Sequence, residues 1–348
     1  MRPRRMSRAI RIGDVIVGGG APVVVQSMTK TDTRDVKATV AQIRELEDGG
    51  CELVRVAVPD AEAARAIAAI KKGISLPLIA DIHFDYRLAL AALAAGADGL
   101  RLNPGNIGEP EKVKAVVLAA KEREVPIRIG LNAGSLPKTD NPRLSVAERM
   151  VNAALEQIKL LESLDFGLIK VSLKAFDVPT TIEVYQRIAA EMPYPLHIGI
   201  TEAGTPRTGI IRSTVGIGTL LWLGIGDTIR VSLTSHPREE VVAAYEILKS
   251  LNLRQRGPVL VSCPTCGRTE ADVIKLAEAV EAALTRIDKP VKVAVMGCVV
   301  NGPGEAKDAD VGLACGKGKG VIFKKGKKVA VVEEKDFLTA LMKEVEGF

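Results

Sequence analysis

Residues 78–103 read LIADIHFDYRLALAALAAGADGLRLN, and this stretch decides the fold. Two short runs with strand composition, Leu78–Ile82 and Gly99–Asn103, enclose a helix-like segment. Six further runs of this kind recur along the chain, separated by helix-like segments: Val23–Gln26, Leu53–Val58, Ile127–Asn132, Leu168–Leu173, His197–Thr201 and Ile229–Leu233. Eight strands at intervals of about 30 residues match the repeat of a TIM barrel. The sequence therefore predicts an α/β fold with an N-terminal TIM (β/α)8 barrel, and a doubly wound sheet is the alternative.

A change of pattern at Gly257 marks a second domain, so we predict a barrel over residues 1–250 and a small α+β domain over 257–348. The second domain begins with a strand and the pair Cys263 and Cys266. Its further predicted elements are a helix capped by Thr269–Asp272, a strand over Val291–Met296, a hairpin over Val321–Val332 and a helix over Glu334–Glu346.

The composition limits the class of function. Hydrophobic residues make up 47% and charged residues 26% of the 348 residues, which is typical of a globular protein, and no apolar run is long enough to cross a membrane. Arg11 and Asp14 interrupt any signal-peptide core, so a cytoplasmic location is expected. The net charge of +6 comes with only 3% aromatic residues and no nucleic-acid motif. An anionic small molecule is therefore a better expectation than nucleic acid.

Polar residues lie on the predicted barrel strands, where apolar residues are expected. Residues two apart share one face of a strand, and the candidate substrate-binding residues chosen on this basis are Arg55, Arg101, Asn103, Arg128, Asn132, Lys170, Ser172, Lys174, Thr201, Arg230 and Ser232. Unpaired buried charge is costly, and Asp81 and Glu202 cannot neutralise so many cations. We therefore predict that the cations line the C-terminal mouth of the barrel and bind a polyanion.

The cysteines indicate a metal site. Cys263 and Cys266 have the spacing of zinc and iron-sulfur ligands alike, and Cys298 provides a third thiol. Glu305, which follows a flexible turn, is a candidate fourth ligand; as a hard carboxylate among soft thiolates it would be the most easily displaced. Cys315 is the alternative fourth ligand and would close the cluster, whereas Cys51 is predicted to be a buried apolar residue.

Six motifs carry a resemblance to a known family: Val25–Asp32 (VQSMTKTD), Leu102–Gly108 (LNPGNIG), Gly130–Ser135 (GLNAGS), Gly199–Gly204 (GITEAG), Ser262–Arg268 (SCPTCGR) and Met296–Glu305 (MGCVVNGPGE). Along essentially its whole length the sequence resembles the 4-hydroxy-3-methylbut-2-enyl diphosphate synthases, the IspG/GcpE family, in their compact two-domain bacterial form. The resemblance implies reductive ring opening of 2-C-methyl-D-erythritol 2,4-cyclodiphosphate to (E)-4-hydroxy-3-methylbut-2-enyl diphosphate. This reaction belongs to the methylerythritol phosphate pathway of isoprenoid biosynthesis.

The resemblance also implies a cofactor and partners. The small domain should be similar to domains of sulfite reductases and hold a [4Fe-4S] cluster through Cys263, Cys266, Cys298 and Glu305. Reduced ferredoxin or flavodoxin should supply two electrons. A homodimer is expected, with the cluster domain of one chain over the barrel of the other.

Three residues are candidates for delivering a proton or orienting the hydroxyl that leaves, namely Glu202, Asp81 and His83, while Glu305 is counted as catalytic through its displacement. Salt bridges to the neighbouring arginines are the competing interpretation. Two other functions stay open on the residues alone. One is a lyase or aldolase with Lys170 or Lys174 as a Schiff-base lysine, and the other is an electron carrier with a four-cysteine cluster.

The segment Lys317–Lys328 is rich in lysine and has two interpretations. It is either an edge strand whose charges prevent sheet-to-sheet association, or a landing surface for an acidic electron donor.

Overall fold

The computed structural model describes residues 1–136, 143–298 and 302–348. The chain divides into two compact units, Met1–Arg254 and Gln255–Phe348. The strands of the first unit are β1 Ile10–Ile12, β2 Val15–Val17, β3 Val24–Met28, β4 Leu53–Ala57, β5 Leu78–Asp81, β6 Gly99–Leu102, β7 Ile127–Asn132, β8 Ile169–Lys174, β9 His197–Ile198 and β10 Thr228–Ile229. Its helices are α1 Val36–Asp48, α2 Ala61–Lys72, α3 Tyr86–Ala94, α4 Pro104–Ile107, α5 Pro110–Glu122, α6 Val146–Ser163, α7 Val178–Glu191, α8 Pro206–Trp222 and α9 Pro237–Ser250.

Eight parallel strands of the first unit form a nearly closed barrel. They follow the order β8-β7-β6-β5-β4-β3-β10-β9, and a parallel bridge between Val171 and Leu196 connects β8 to the residue before β9. Helices alternate with these strands along the chain. The predicted TIM-barrel fold is thus confirmed, and the doubly wound alternative is not observed.

The helices begin where the sequence supplies capping side chains. Asp35, Asp60, Asp85 and Asp177 each accept a backbone N–H at the start of α1, α2, α3 and α7. Ser145 forms a capping box with Glu148 at the start of α6. Such caps satisfy N–H groups that have no partner within the helix, which fixes the point where each loop ends.

The last two barrel strands are shorter than predicted. The ladder of β9 ends at Ile198 and that of β10 at Ile229, whereas both runs were predicted to extend three or four residues further. Just beyond the end of β9, a Cβ at Gly199 would collide with the carbonyl oxygen of Arg230 and lie 2.7 Å from Lys174 Nζ. The backbones therefore approach closely at this point without continuing the regular pairing.

A small hairpin covers the amino-terminal end of the barrel. β1 and β2 pair antiparallel, and their buried residues Ile10, Ile12 and Val17 pack against Val24, Leu53 and Ile79, at or near the beginnings of β3, β4 and β5. This apolar contact closes one end of the barrel interior. The carboxyl end is the end at which TIM barrels place their functional loops.

The second unit is a five-stranded sheet with helices on both faces. Its elements are β11 Val259–Ser262, α10 Val273–Leu284, β12 Lys292–Met296, α11 Gly302–Lys307, β13 Val311–Cys315, β14 Lys319–Lys324, β15 Lys327–Glu333 and α12 Phe337–Glu346. β11, β12 and β13 are parallel, while β14 and β15 continue the sheet antiparallel. α10 and α12 contribute to one apolar cluster and α11 to another, so the sheet is covered on both faces.

The hairpin at the base of the barrel gives a stability prediction. Ile12 is 1% exposed and Ile16, on the same hairpin, is 48% exposed. Ile12→Ala should lower the free energy of unfolding by about 2–5 kcal/mol because it leaves a cavity. Ile16→Ala, the matched control, should change it by less than about 1 kcal/mol. Urea titrations followed by circular dichroism measure both, and equal losses would contradict the packing described.

Candidate functional site

One row of charged side chains crosses four neighbouring strands of the barrel. The strand register pairs Asp81 with Arg101, Arg101 with Arg128, and Arg128 with Lys170. Alternate residues of the same strands, such as Leu100 and Ile127, instead belong to the large apolar cluster shared with the helices. Since successive side chains point to opposite faces, the charged row faces the barrel interior.

Asp81 is the point at which several of these groups meet. Its carboxylate lies 3.1 Å from Arg101 Nη1, 3.5 Å from Arg55 Nε and 3.7 Å from His83 Nε2. Burial alone would raise the pKa of Asp81, but the charge of Arg55, the nearby imidazole of His83 and the charge of Arg101 outweigh burial and hold this pKa well below its usual range. Asp81 is therefore a carboxylate at neutral pH.

Arg128 and Lys170 have no such partner. Arg128 is 3% exposed and Lys170 1% exposed. Within the described residues, Arg128 Nε and Nη2 and Lys170 Nζ make no hydrogen bond. Burial, reinforced by nearby cations, lowers the pKa of both groups. Two adjacent unsatisfied cations in the interior are costly unless an anion or water lies between them.

Lys174 lies within a second polar cluster. Its Nζ is 3.3 Å from His197 Nε2, and His197 Nδ1 is 2.7 Å from the hydroxyl oxygen of Thr228. The Tyr185 hydroxyl donates to the backbone carbonyl of His197 at 2.6 Å, and Ser172 hydrogen-bonds the same hydroxyl. Burial, followed by the charge of Arg230, lowers the pKa of Lys174, while burial and then Lys174 lower that of His197. The cluster fixes the position of the Lys174 amine.

Arg230 is held by a carboxylate that lies outside the barrel strands. Glu240, on α9, lies 3.5 Å from Arg230 Nη2 and 3.1 Å from Lys30 Nζ. Its two oxygens also accept from Ser27 Oγ at 3.1 Å and from the backbone N–H of Leu233 at 3.0 Å. These contacts leave Glu240 1% exposed and fully paired.

Other predicted site residues have mixed surroundings. Asn103 is buried and caps α4, since its side chain accepts from Gly105 N at 3.1 Å and donates to Asn106 Oδ1 at 3.1 Å. Thr201 N donates to Ala175 O at 3.3 Å. The register of β7 and β8 places Asn132 beside Lys174. Ser232 is half-buried, and the side chain of His83 is 54% exposed. These positions lie at or beyond the carboxyl ends of their strands.

Glu202 follows β9 in a left-handed conformation, with φ of +56°. Its side chain is exposed. It makes no ion pair with any residue that the structure describes, so the competing interpretation of a salt bridge to the arginines is not observed. A non-glycine residue in this conformation is uncommon and is often a feature of functional sites.

The charge balance of the interior follows from these contacts. Six cationic side chains were predicted to share it: Arg55, Arg101, Arg128, Lys170, Lys174 and Arg230. In the described part of the chain, ion pairs connect them to two carboxylates, Asp81 and Glu240. Arg128, Lys170 and Lys174 have no carboxylate partner among those residues. The barrel interior therefore carries an excess of positive charge that a polyanion would neutralise.

Two residues that contact the predicted cations, His197 and Glu240, were not among the predicted site residues. His197 lies on the inner face, and the same spacing of two residues that selected the cations would have found it. Glu240 gave no such signal, because a glutamate in the first turn of an amphipathic helix usually faces solvent.

Two cysteines of the second unit, Cys263 and Cys298, lie just beyond the carboxyl ends of neighbouring strands of its sheet. Cys263 directly follows β11 and Cys298 follows β12 by two residues, and the two strands are parallel neighbours. Cys263 Sγ accepts a hydrogen bond from Gly297 N at 3.2 Å. A Cβ at Gly297 would lie 3.3 Å from this sulfur and 2.7 Å from Val273 Cγ2, so glycine permits the approach. A backbone donor to sulfur is a common feature of iron-sulfur sites.

The remaining candidate ligands differ in exposure. Cys266 and Glu305 are exposed, and the Cys266 N–H donates to Thr269 Oγ1 at 3.0 Å. Cys315 ends β13 and is buried, and burial, together with the nearby Cys263, raises the pKa of its thiol to about 12. Residues 299–301, part of the motif between Cys298 and Glu305, lie outside the described residues. Within the described ranges, no three Cys, His, Asp or Glu side chains converge as a complete metal site.

The fold and the site together define a class of protein: a TIM barrel with a cation-lined interior, followed in the chain by a small α+β unit with cysteines at the carboxyl ends of its parallel strands. Residues 7–245 match the family model described as the GcpE TIM-barrel domain, and residues 259–347 match the model of the GcpE protein C-terminal domain. The chain belongs to the GcpE family.

Relatives of full length agree with this assignment. A protein of Dehalococcoides mccartyi is 67% identical over 345 residues and 99% of both chains, and one of Geobacter sulfurreducens is 58% identical over 342 residues, 98% of this chain and 97% of the relative. A Caldanaerobacter subterraneus protein is 56% identical over 99% of this chain and 98% of the relative. All three are named 4-hydroxy-3-methylbut-2-en-1-yl diphosphate synthase (flavodoxin). The alternative of a lyase or aldolase is therefore not favoured.

Solved structures with a similar fold are more distant. A dihydropteroate synthase from Xanthomonas albilineans in complex with 7,8-dihydropteroate aligns with a TM-score of 0.52 at 17% identity, over 71% of this chain and 98% of that chain. A type I 3-dehydroquinate dehydratase from Clostridium difficile aligns with a TM-score of 0.51 at 15% identity, over 71% and 98%. At such identities the similarity shows the fold alone. Among the described residues, no helix is long and apolar enough to span a membrane.

The surroundings of Asp81 give a pH prediction. Asp81→Asn should lower the free energy of unfolding at pH 7 by about 3 kcal/mol, because Arg55 and Arg101 lose their counter-charge. The folded pKa of Asp81 lies below its unfolded value, so this stabilisation is fully present above about pH 4 and is lost as the pH falls further.

Urea titrations between pH 7 and pH 3 should therefore show a gap between wild type and Asp81→Asn that is constant down to about pH 4 and then narrows. Asp14→Asn, at an exposed position of the amino-terminal hairpin, is the control and should show no gap. A gap for Asp81→Asn that stays constant down to pH 3 would contradict the ion-pair account.

Proposed function

We propose that this protein catalyses the reductive ring opening and dehydroxylation of 2-C-methyl-D-erythritol 2,4-cyclodiphosphate to (E)-4-hydroxy-3-methylbut-2-enyl diphosphate. Family membership and the names of full-length relatives support this reaction. The structural observation that carries it is the excess of cations inside the barrel, with Arg128 and Lys170 unpaired in the described residues. A compact diphosphate matches both the sign of this charge and the geometry of arginine.

The charges of substrate and product explain the need for these cations. Two electrons enter, the ring C–O bond to phosphate breaks, and a hydroxyl leaves and takes up a proton to become water. The linear diphosphate then carries one more negative charge than the cyclic one. Cations already fixed around the diphosphate stabilise this growing charge without reorganising during the reaction. Arg55 and Arg101 are held by Asp81, and Arg230 by Glu240.

Cys263, Cys266 and Cys298, with Glu305, are the residues that would hold the [4Fe-4S] cluster. The thiols of Cys263 and Cys298 follow neighbouring parallel strands, Cys266 comes three residues after Cys263, and the N–H of Gly297 is directed at Cys263 Sγ, which fits such a group. Bound there, the cluster supplies electrons one at a time. The relatives' names specify flavodoxin, and we infer the same donor for this chain.

The candidates for handling the proton differ in what they can do. Asp81 is held in its ionised form by Arg55 and Arg101, so it orients these groups and has no proton to give at neutral pH. Glu202 and His83 are exposed near the ends of their strands, and Glu202 has no ion-pair partner in the described chain. We assign proton delivery to these two residues.

Anaerobic reconstitution and assay test the function. Wild-type protein should bind about four irons per chain, which is the stoichiometry of the cluster, and should convert the cyclodiphosphate when reduced flavodoxin is supplied. Cys298→Ser should lose both the iron and the activity. Cys315→Ser is the matched control and should keep its iron and absorption spectrum, because Cys315 is buried at the end of β13.

Three results would overturn the proposal: zinc in place of iron, iron-loaded wild type that leaves the cyclodiphosphate unchanged, or iron loss in Cys315→Ser equal to that in Cys298→Ser. The last would favour the closed four-cysteine cluster and an electron carrier.

We further infer a cytoplasmic homodimer, in which the cluster domain of one chain covers the barrel of its partner. Inactive Cys263→Ser protein mixed with inactive Arg128→Ala protein should then regain part of the activity, because each mixed dimer contains one complete pair of intact domains. Mixed dimers isolated with two different affinity tags allow the assay. No activity in isolated mixed dimers would exclude shared sites.

A further inference from the structure

Gln26 is a buried residue with no role in the site described above. It occupies the middle of β3, between Val24 and Met28. Val24 packs in the apolar cluster at the base of the barrel, and Met28 Sδ accepts hydrogen bonds from Arg55 Nε at 3.2 Å and Nη2 at 2.9 Å. Both neighbours two residues away therefore face the interior. Alternation along the strand directs the Gln26 side chain into the interior as well, between the apolar base and Arg55.

The amide of Gln26 has no hydrogen-bond partner in the part of the chain that the structure describes. The residue is 1% exposed, and both its Oε1 and its Nε2 are buried and unpaired. Leaving either atom unpaired costs free energy, and an apolar side chain of similar size would avoid this cost. Ser27, the next residue, shows the contrast, since its hydroxyl donates to Glu240 and is satisfied.

The chemistry of an amide indicates what it would bind. A glutamine offers one acceptor and two donors, so its complement must both donate and accept. An ionised diphosphate only accepts, which would leave Oε1 unpaired. A hydroxyl group does both. The proposed substrate has two hydroxyls that are not esterified, at C1 and C3 of its carbon chain, and the arginines and lysines of the barrel are suited to its phosphates.

We propose that Gln26 is a substrate-binding residue that recognises a hydroxyl of the carbon skeleton, and so distinguishes the cyclodiphosphate from other compact polyphosphates. The inference rests on the proposed function and adds a specificity-determining residue to it. The neutral amide contributes binding and takes no part in electron or proton transfer. Of the two free hydroxyls, the one at C3 leaves and the one at C1 is retained in the product, so the proposal assigns Gln26 to the C1 hydroxyl. This contact is the same in the bound substrate and in the transition state, which predicts an effect on KM and not on kcat.

The test compares two ligands on reconstituted, full-length protein. Gln26→Met keeps the length of the side chain and removes both polar ends. It should raise KM for the cyclodiphosphate by about 10- to 100-fold, the value of a hydrogen bond to a buried group. The kcat should stay unchanged, and so should the dissociation constant of inorganic pyrophosphate, which has no carbon skeleton. Gln186→Met, the same substitution at an exposed position of α7, should change none of these quantities.

A structural role for Gln26 predicts different results. If the amide stabilises the fold through a buried water, Gln26→Met should lower the melting temperature of the ligand-free protein; our proposal requires an unchanged or higher one, because an unpaired polar group is removed. An unchanged KM, or an equal loss of pyrophosphate affinity, would overturn the proposal while wild-type turnover still supports the function. Wild-type protein that binds pyrophosphate without converting the cyclodiphosphate would overturn the proposed function and this inference together.

Discussion

The excess of buried positive charge inside the barrel is the constraint on which the rest of the structure depends. Arg128, Lys170 and Lys174 lie below 10% exposure with no carboxylate partner in the described chain, which is an unfavourable arrangement for the protein by itself. The apolar hairpin at the opposite end supports it by closing the base of the barrel. A site assembled at this cost to stability is preorganised, because its cations need not move when an anion arrives.

The parallel strands of the barrel bring these charged side chains together, and their regular pairing explains why the sequence alone could predict a shared face. In-register pairing places Asp81, Arg101, Arg128 and Lys170 side by side, so a two-residue spacing in four separate runs was enough to predict a shared face. The eight runs themselves predicted the confirmed barrel. The limits of β9 and β10 could not be predicted, because they depend on the approach of Gly199 to Arg230 and Lys174, which are distant in sequence.

Side-chain partners were harder to predict than positions. Asn103 has the sequence context of a phosphate contact, yet its side chain caps the short helix that follows it. Glu240 neutralises Arg230 from a helix outside the barrel, and no local pattern connects the two. In the second unit, the cysteine motifs predict Cys263 and Cys298 at one site, and the parallel strands β11 and β12 place both cysteines at the same end of the sheet. The choice between Glu305 and Cys315 as the fourth cluster ligand cannot be made from a sequence motif, because it depends on contacts between segments that are separate in sequence.

The lysine-rich hairpin shows how topology separates two interpretations of one segment. β15 is the last strand of its sheet, so the charges of Lys327 and Lys328 protect an edge from pairing with other chains. β14 begins beside Cys315, at the end of the sheet that carries the cysteines, and runs away from it. Lys324 is therefore about 17 Å further from that end than Lys319, at about 3.3 Å for each residue. Of the two turns, only the one that contains Lys317 and Lys319 lies at the end of the sheet that carries the cysteines, so it is the turn that the landing-surface interpretation predicts for an acidic donor. The lysines at the other turn fit the interpretation of a protected edge strand.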